Sequence, residues 1–376
     1  MQKYFSFIII LGFCLTAVPA FAGTVVLHLD NATPYARQHW PVTAGVPLPK
    51  GAIRNAANLQ LLDASGKPVP LQAAVSMRWE DGSAKWVLCD FAADVPSQQT
   101  ADYQLQYGED VKRAAPNGIV IHQAANDITV DTGKLRMTLS KTHWDFPGKV
   151  QILNDANQWQ TVTSPGTAFT DLIHQTPGEP QEENWLRDAP KNAARDHYET
   201  GADKEYKLTV ESAGPLRATL RLEAWQVNSK GQRFAPTTLR VTVFANSTLV
   251  KALHTFVFTG DAQQDFIRSM GVSMPLTGKN IKSTFGAQDE TSQEINLSNS
   301  NSSASLDSIG PDRFYNNIPY TADKTVNYQL TSDAKVLFTG KEAPGWIQVN
   351  SDSAAMTLAA RDFWQQAPQQ LQVNGN

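Results

Sequence analysis

The sequence contains very little cysteine. Two cysteines occur among 376 residues, Cys14 and Cys89, and Cys14 lies in an N-terminal segment that we predict is removed. The remaining chain can then form no internal disulfide, so its stability must come from packing. A chain of this length can provide that packing as two domains, because single cores rarely grow beyond roughly 250 residues. We predict that Cys89 is a small buried apolar residue.

Long hydrophobic runs are also scarce. The apolar run Phe5–Leu15 is too short to span a bilayer, which takes about 20 apolar residues, and no second run is longer. Lys3 precedes this run and Ala20-Phe21-Ala22 follows it, as in a cleavable secretory signal. We therefore predict a signal peptide over residues 1–22 and a periplasmic or secreted protein that has no membrane association after cleavage.

Positive charge is not in excess. Lysine and arginine number 32 against 36 aspartate and glutamate residues, the net charge is −4, and no basic cluster stands out. Nucleic-acid binding depends on a basic face that displaces counterions from phosphates. The composition therefore predicts no nucleic-acid partner, and an acidic polymer would have to be bound by a few placed cations.

Motifs for metal and nucleophile chemistry are absent. His122, His143 and His174 have no cysteine or carboxylate at metal-ligand spacing, and there is no H-E-x-x-H or C-x-x-C pattern. Gly-x-Ser-x-Gly and phosphate-binding glycine loops are also missing. We predict no cofactor, although scattered acidic residues could assemble a Ca²⁺ site in space, and the sequence leaves that alternative open.

Short segments of β type occur throughout the chain, separated by turn formers such as Asp81-Gly82 and Thr259-Gly260-Asp261. The predicted strands are 24–29, 59–62, 85–91, 103–107, 128–130, 135–139, 206–210, 218–225, 239–244 and 249–258. Long stretches of 3.6-residue period are missing. The pattern predicts an all-β fold of antiparallel sheets, in a sandwich or barrel architecture.

Two polar stretches interrupt this pattern. Residues 176–203 contain three prolines and many charges, and residues 288–307 are dominated by serine and asparagine. We predict that both are surface loops, and that almost nothing in the second is buried. The segment 111–118 separates two strand-rich blocks, so we place one domain at 23–115 and a second at 116–376.

Several segments resemble the exo-rhamnogalacturonan lyase family. In the first block these are GVPLPKG (45–51), GKPVPLQ (66–72) and RWEDGSAKWV (78–87); in the second they are ESAGPLR (211–217), HTF (254–256), TGD (259–261) and RDFWQQAP (361–368). The W-x-D-G-S-x-K-W element is the most specific. The resemblance implies an N-terminal RIFT-type β-barrel followed by a large antiparallel β-sandwich, and in the family a helical toroid with catalytic function comes next.

The sequence ends at Asn376, before the position of that helical toroid. We therefore expect a sandwich that is incomplete at its C-terminus and a chain without the helical catalytic domain. The resemblance implies the N-terminal portion of an exported lyase-like protein that degrades pectin of the rhamnogalacturonan type, with an acidic plant-type polysaccharide or oligosaccharide as its partner. A non-catalytic carbohydrate-binding or structural β-module is the alternative, and whether this chain alone is an enzyme stays open.

A lyase of this kind eliminates next to a galacturonate carboxylate, and it needs a cation for the carboxylate, a base and an acid. The polar segment 187–199 contains residue types suited to those roles, and functional residues concentrate in loops. The predicted catalytic residues are Lys191, Arg195, His197 and Tyr198. A solvated charged loop is the simpler interpretation of the same segment.

Four further residues are candidates for substrate contacts, namely Trp79, Trp86, His254 and Arg268. The two tryptophans flank the Asp81-Gly82 turn, where they would form either a cross-strand aromatic pair or a stacking platform for a sugar ring. His254 lies on an apolar strand, where a hydrogen-bonded core histidine is the alternative. Arg268 follows Asp265 closely and could instead form a simple ion pair.

Overall fold

A computed structural model describes residues 22–113, 116, 118–174, 194–287, 291–297, 301–308 and 328–375. Contacts between Cα atoms divide the chain into two units, Met1–Asn117 and Gly118–Asn376. Within the described ranges the only helical segments are two 3-10 turns, Ala56–Asn58 and Thr200–Ala202, and no helix there is long and apolar enough to cross a membrane. The all-β prediction is therefore confirmed. The predicted signal peptide and Lys191 lie outside the described residues.

The N-terminal unit consists of two antiparallel sheets around one core. Its strands are β1 (Gly23–Asn31), β2 (Arg37–Pro47), β3 (Leu59–Leu62), β4 (Pro68–Val69), β5 (Gln72–Arg78), β6 (Ala84–Val95) and β7 (Gln99–Tyr107). One sheet has the order β1-β7-β3-β4 and the other β2-β6-β5. Alternate residues of β6 and β7 point inward, as the two-residue period of a strand requires. Cys89 on β6 is fully buried in this core, as predicted.

The second unit begins with a β-sandwich. Its strands are β8 (Val120–Gln123), β9 (Asp127–Asp131), β10 (Leu135–Ser140), β11 (Lys149–Leu153), β12 (Trp159–Thr161), β13 (Thr167–His174), β14 (Ala194–Glu199), β15 (Lys207–Ala213), β16 (Arg217–Asn228), β17 (Arg233–Phe244), β18 (Val250–Phe256) and β19 (Asp265–Ser273). A five-stranded sheet, β12-β11-β10-β9-β8, packs against a larger sheet of order β18-β17-β16-β14-β13-β19, in which β15 also pairs with β16. Apolar side chains of β10, β16 and β17 form the core between the sheets.

The strands that follow enclose a separate core. They are β20 (Lys282–Gly286), β21 (Ser292–Asn296), β22 (Ser303–Ser308), β23 (Tyr328–Ser332), β24 (Lys335–Gly340), β25 (Trp346–Asn350), β26 (Ala355–Ala359) and β27 (Gln369–Asn374). They form two four-stranded sheets, β21-β20-β25-β26 and β24-β23-β22-β27. Phe285, Leu306 and Tyr328 are among the fully buried side chains between these sheets. This eight-stranded body is called the second sandwich below.

The second sandwich corrects the prediction of a polar surface loop over 288–307. Residues 292–296 and 303–308 are strands, and Ile295 and Leu306 are buried. The serines in this segment alternate with apolar residues, so one face of each strand still reaches a core. Composition alone concealed that alternation, because polar residues outnumber the apolar ones.

The two sandwiches of this unit are joined next to β12. The backbone NH of Thr277 donates to the Val162 carbonyl (3.0 Å), and the Thr277 hydroxyl donates to the Thr161 carbonyl (3.1 Å). The amide of Gln160 also donates to the backbone carbonyl of Ser353. These bonds hold the start of the second sandwich against the edge of the first.

Candidate functional site

Polar side chains gather on one face of three neighbouring strands of the larger sheet. Strand β13 lies between β14 and β19, and Asp171 of β13 is opposite His197 on one side and Ser269 on the other. Residues directly opposite each other in an antiparallel pair share a face. The register therefore brings the three side chains together, although they are 26 and 98 residues apart from Asp171 in sequence. We call this surface the His197 face.

Hydrogen bonds connect the three side chains through Asp171. Nδ1 of His197 donates to Oδ1 of Asp171 (2.7 Å), and the Ser269 hydroxyl donates to Oδ2 of the same carboxylate. A proton held on Nδ1 leaves Nε2 of the neutral imidazole as the acceptor. The His197 side chain is 55% exposed, so Nε2 is accessible to a ligand. Phe169 stacks on the imidazole, with ring centroids 6.1 Å apart and planes inclined by 23°.

Two arginines flank this array. Arg195 lies two residues before His197 on β14, opposite Ile173 and therefore on the same face. Arg268 lies at a β-bulge of β19, where the pairing with β13 skips one residue between Ile267 and Ser269. Both arginines are exposed. Arg268 has no ion pair with a carboxylate among the described residues, so the predicted pairing with Asp265 is not formed.

A groove begins at the His197 face and extends to the second sandwich. Its volume is about 1250 Å³, and Phe169, Arg268 and Ser269 form part of its wall. The second sandwich contributes side chains with amide and carboxylate groups to the same groove, and these can bind hydroxyl groups. These are Asp307, Gln329, Gln370 and Gln372. The groove thus combines Arg268 and these polar groups with apolar side chains such as Leu276, Val349 and Leu358.

The structure corrects the prediction that Arg195, His197 and Tyr198 belong to a polar loop. Residues 194–199 form strand β14 inside the larger sheet, with β13 on one side and the end of β16 on the other. The polar composition of this strand arises because its outer face carries charged side chains. Six residues are too few for the alternation of inward and outward residues to stand out in the sequence. The charged segment before this strand therefore made the whole stretch look like a loop.

Tyr198 points away from His197. Successive residues of a strand face opposite sides of the sheet, and Tyr198 is buried with Leu172, Phe234 and Ala235 on the inner side. Burial raises the pKa of the Tyr198 phenol above its ordinary value, and the nearby Asp196 and Asp265 carboxylates raise it further. Tyr198 therefore contributes to the core and does not supply a proton on the His197 face.

A second histidine lies between two carboxylates at the end of the same strands. Nδ1 of His174 is 2.7 Å from Asp265, and Nε2 is 3.2 Å from Asp196. Lys230 also contacts Asp196 (3.3 Å). His174 can donate to both carboxylates at once only when both ring nitrogens carry a proton. Sequence spacing could not reveal this cluster, because Asp265 is 91 residues from His174.

His254, a predicted substrate contact, lies away from the His197 face. His254 lies on the edge strand β18, and its Nε2 atom is buried without a hydrogen bond to any described residue. Burial lowers the pKa of His254 below its ordinary value. It is far in strand order from β13 and β14, at the opposite side of β16 and β17.

The hairpin predicted at Asp81-Gly82 is formed, with φ +80° at Gly82 and a hydrogen bond from Trp79 N to the Ser83 carbonyl (2.8 Å). No ring contact joins Trp79 to Trp86, because bulges on either side of Met77 place that residue opposite Trp86. Instead, the Lys85 ammonium lies 4.5 Å from the Trp79 ring centroid. Trp86 is 39% exposed.

Metal ligands are not assembled in the described ranges. No group of three or more histidine, cysteine, aspartate or glutamate side chains there has an arrangement that could hold a metal ion. The His174 cluster illustrates the reason, since its two carboxylates bind opposite ring nitrogens and do not converge on one point.

Comparison with known proteins identifies the two units. The PcRGLX-like N-terminal RIFT barrel domain matches residues 23–108, and the PcRGLX-like protein central beta sandwich domain matches residues 119–281, so together they cover about two thirds of the chain. The uncharacterized protein YetA of Bacillus subtilis (strain 168) is 25% identical over 242 residues, which are 62% of this chain and 25% of YetA. The chain thus spans about a quarter of the length of this curated relative. These matches confirm the predicted relationship, and the chain belongs to the PcRGLX-like family of rhamnogalacturonan lyase-like proteins.

Proposed function

We propose that this chain is an exported part of a rhamnogalacturonan-degrading, lyase-like protein, and that the His197 face binds a uronate residue of the polysaccharide. The observation that carries the proposal is the hydrogen bond from His197 Nδ1 to Asp171, which leaves Nε2 exposed on the same face as Arg195. Family membership supports the pectic substrate, and the N-terminal apolar run with its small-residue end supports export.

The chemistry follows from these groups. An arginine, Arg268 or Arg195, binds the uronate carboxylate and withdraws charge from the adjacent carbon, as a planar guanidinium can do in a bidentate contact. His197 Nε2 takes the proton from C5 of the uronate. The C4–O glycosidic bond then breaks, a C4=C5 double bond forms, and the departing oxygen receives a proton. His197 returns that proton when base and leaving oxygen lie on the same face of the sugar ring. Asp171 stabilises the imidazolium that forms in between.

A non-catalytic carbohydrate-binding function is the second candidate. It is favoured by the burial of Tyr198, which removes the expected acid from the face, and by the amide-rich wall of the groove. Under this alternative His197 and the arginines bind the uronate and no bond is broken.

Activity and binding can be measured on the same protein. The full chain is incubated with rhamnogalacturonan, and the unsaturated uronate product is followed by ultraviolet absorbance. His197→Gln is compared with His143→Gln, which changes an exposed histidine near β10. Removing a general base lowers turnover by about 10²–10⁴-fold, and we expect this loss for His197→Gln alone.

Three results separate the candidates. Turnover that disappears with His197→Gln supports elimination at this face. Binding of the polysaccharide without turnover, weakened by Arg268→Gln, supports the binding module. If the chain neither cleaves nor binds any pectic fragment, or if turnover is unchanged in His197→Gln, the proposed site is wrong.

A further inference from the structure

The N-terminal unit has a pocket of its own beside the Asp81-Gly82 turn. Its volume is about 630 Å³, within the range of about 300–1000 Å³ that is usual for small-ligand clefts. Its walls are Arg54, Asn55, Ala56, Val75, Arg78 and Gly82. The pocket is open to solvent on one side.

Backbone carbonyls hold both arginines in place. Nη1 of Arg54 donates to the Asp81 carbonyl (2.6 Å). Nη1 of Arg78 donates to the carbonyls of Arg54 (2.8 Å) and Gly82 (2.9 Å). These bonds use only one nitrogen of each guanidinium, whose five N–H groups form a rigid fork. Nε and Nη2 of each arginine therefore remain as donors.

Neither guanidinium has a carboxylate partner within 4.0 Å among the residues that the structure describes. The carboxylate of Asp81, whose carbonyl accepts from Arg54, is used by the turn, because its Oδ1 accepts hydrogen bonds from the Ser83 backbone NH (2.9 Å) and hydroxyl (2.5 Å). The hydroxyl bond is the main reason that the pKa of Asp81 is below its ordinary value. The charges of Lys50 and Arg54 also lower the pKa of Asp81, so this carboxylate interacts with Arg54 at longer range without forming an ion pair.

The rest of the wall suits a small organic anion better than a bare ion. Ala56 and Val75 provide apolar surface, which can cover the carbon face of a ring. Asn55 caps the 3-10 turn by accepting from the Ala57 NH with its side-chain oxygen (2.9 Å), and its amide nitrogen remains a donor. Two cationic forks, an apolar floor and one neutral donor form a preorganised set.

We propose that Arg54 and Arg78 form a carboxylate-binding pocket on the N-terminal unit, which takes a sugar acid with its carboxylate against the guanidinium groups. The bidentate geometry of guanidinium with carboxylate gives the selectivity. Both arginines belong to the N-terminal unit, whereas the His197 face belongs to the second unit.

The test measures binding of a galacturonate trimer to the full chain by calorimetry, in a His197→Gln background so that the other site does not contribute its histidine. The methyl-esterified trimer serves as the uncharged ligand, and sulfate serves as the inorganic anion. Hydrogen exchange with and without the trimer locates the site. We expect protection of the hairpin 78–84, weak binding of sulfate and of the ester, and weaker binding of the acid as salt is raised.

Variants make the test specific. A hydrogen bond to a charged group contributes about 1.5–3 kcal/mol, so Arg54→Gln should weaken trimer binding about 10-fold or more. Arg54→Lys should also weaken it, because the fork is lost while the charge is kept. Lys67→Gln removes an equal charge elsewhere in the same unit, at the exposed turn after β3, and should leave binding unchanged. Thermal unfolding of each variant checks that the hairpin is intact.

Some results overturn the proposal. Equal binding of the acid and the ester, or of sulfate and the acid, removes the carboxylate as the recognised group. Unchanged trimer affinity in both Arg54 variants shows that Arg54 does not bind the ligand. Protection from hydrogen exchange that is confined to the His197 face shows that the trimer binds the other unit. Arg78 also holds the turn, so a loss of affinity in Arg78→Gln could come from a disturbed hairpin. The Arg54→Lys variant is therefore decisive: loss of trimer affinity in this variant, with the protein still folded, supports the pocket.

Discussion

Replacing Leu306 by alanine should destabilise the second sandwich strongly. Leu306 is fully buried on β22, and its neighbours in register are Leu330 on β23 and Leu371 on β27. The three leucines form a continuous apolar row across the sheet. Truncation at the middle of that row opens a cavity that neither neighbour can fill without leaving its own strand.

The magnitude follows from the burial. A buried leucine truncated to alanine costs about 2–5 kcal/mol, the larger values applying where the site cannot collapse. Because rigid strands flank Leu306 on both sides, we expect about 3–4 kcal/mol for Leu306→Ala. With a urea dependence of about 2 kcal/mol per molar, the unfolding midpoint of the second sandwich falls by roughly 1.5–2 M.

Leu337 provides the matched control. It lies on the edge strand β24 of the same sheet and is 50% exposed. Leu337→Ala removes the same atoms from a side chain that is half in water, so the cost should stay at about 1 kcal/mol or less. Urea unfolding is followed through hydrogen exchange of the β22 and β25 amides, which reports this sandwich separately from the remainder of the chain.

The comparison of the two leucines tests the packing directly. Equal and small losses for Leu306→Ala and Leu337→Ala would refute the buried role of Leu306. Such a result would also restore the prediction that 288–307 is a surface loop.

Three shorter predictions concern buried polar groups. Burial lowers the pKa of His254 from 6.5, so the unfolded chain binds a proton first and stability falls as the pH drops below about 6.5; His254→Phe should remove this part of the slope in urea titrations at several pH values. Burial raises the pKa of Cys89 to about 12, so iodoacetamide at pH 8 should label it only in denaturant, and mass spectrometry of the folded chain checks this. Asp203→Ala should cost about 2–4 kcal/mol in urea unfolding, because its buried carboxylate accepts from the Trp225 and Glu205 backbone NH groups. Glu205→Ala keeps that backbone NH and removes only the exposed carboxylate that pairs with Arg233, so it should change stability far less.

Motif and period predicted the N-terminal unit well. The Asp81-Gly82 turn and the flanking strands follow from local rules, since glycine accepts the positive φ that the turn needs. The predicted cross-strand pair of Trp79 and Trp86 is not formed, because bulges at Met77 altered which residues are opposite each other. Bulges depend on how both strands pack, so the local sequence pattern does not predict them.

The His197 face was predicted only in part. His197 and Arg195 were selected for their chemistry, and Arg268 was selected separately; the structure places His197 and Arg195 on one face of β14, and Arg268 at a bulge of β19, two strands away. Asp171 and Ser269 were missed, although a carboxylate alternating with apolar residues in β13 is a weak signal of an outward-facing group. Tyr198 was wrong because adjacent residues of a strand cannot share a face.

The sequence by itself determined that the chain is built of antiparallel strands and that it is related to the rhamnogalacturonan lyases, because a two-residue apolar period and short motifs are local properties. Tertiary structure alone decided that Asp171, His197 and Ser269 are hydrogen-bonded, and that His174 lies between Asp196 and Asp265. Those contacts depend on strand order and register. Both are set by packing between distant segments, and a shift of one residue in register would turn each of these side chains to the opposite face of the sheet.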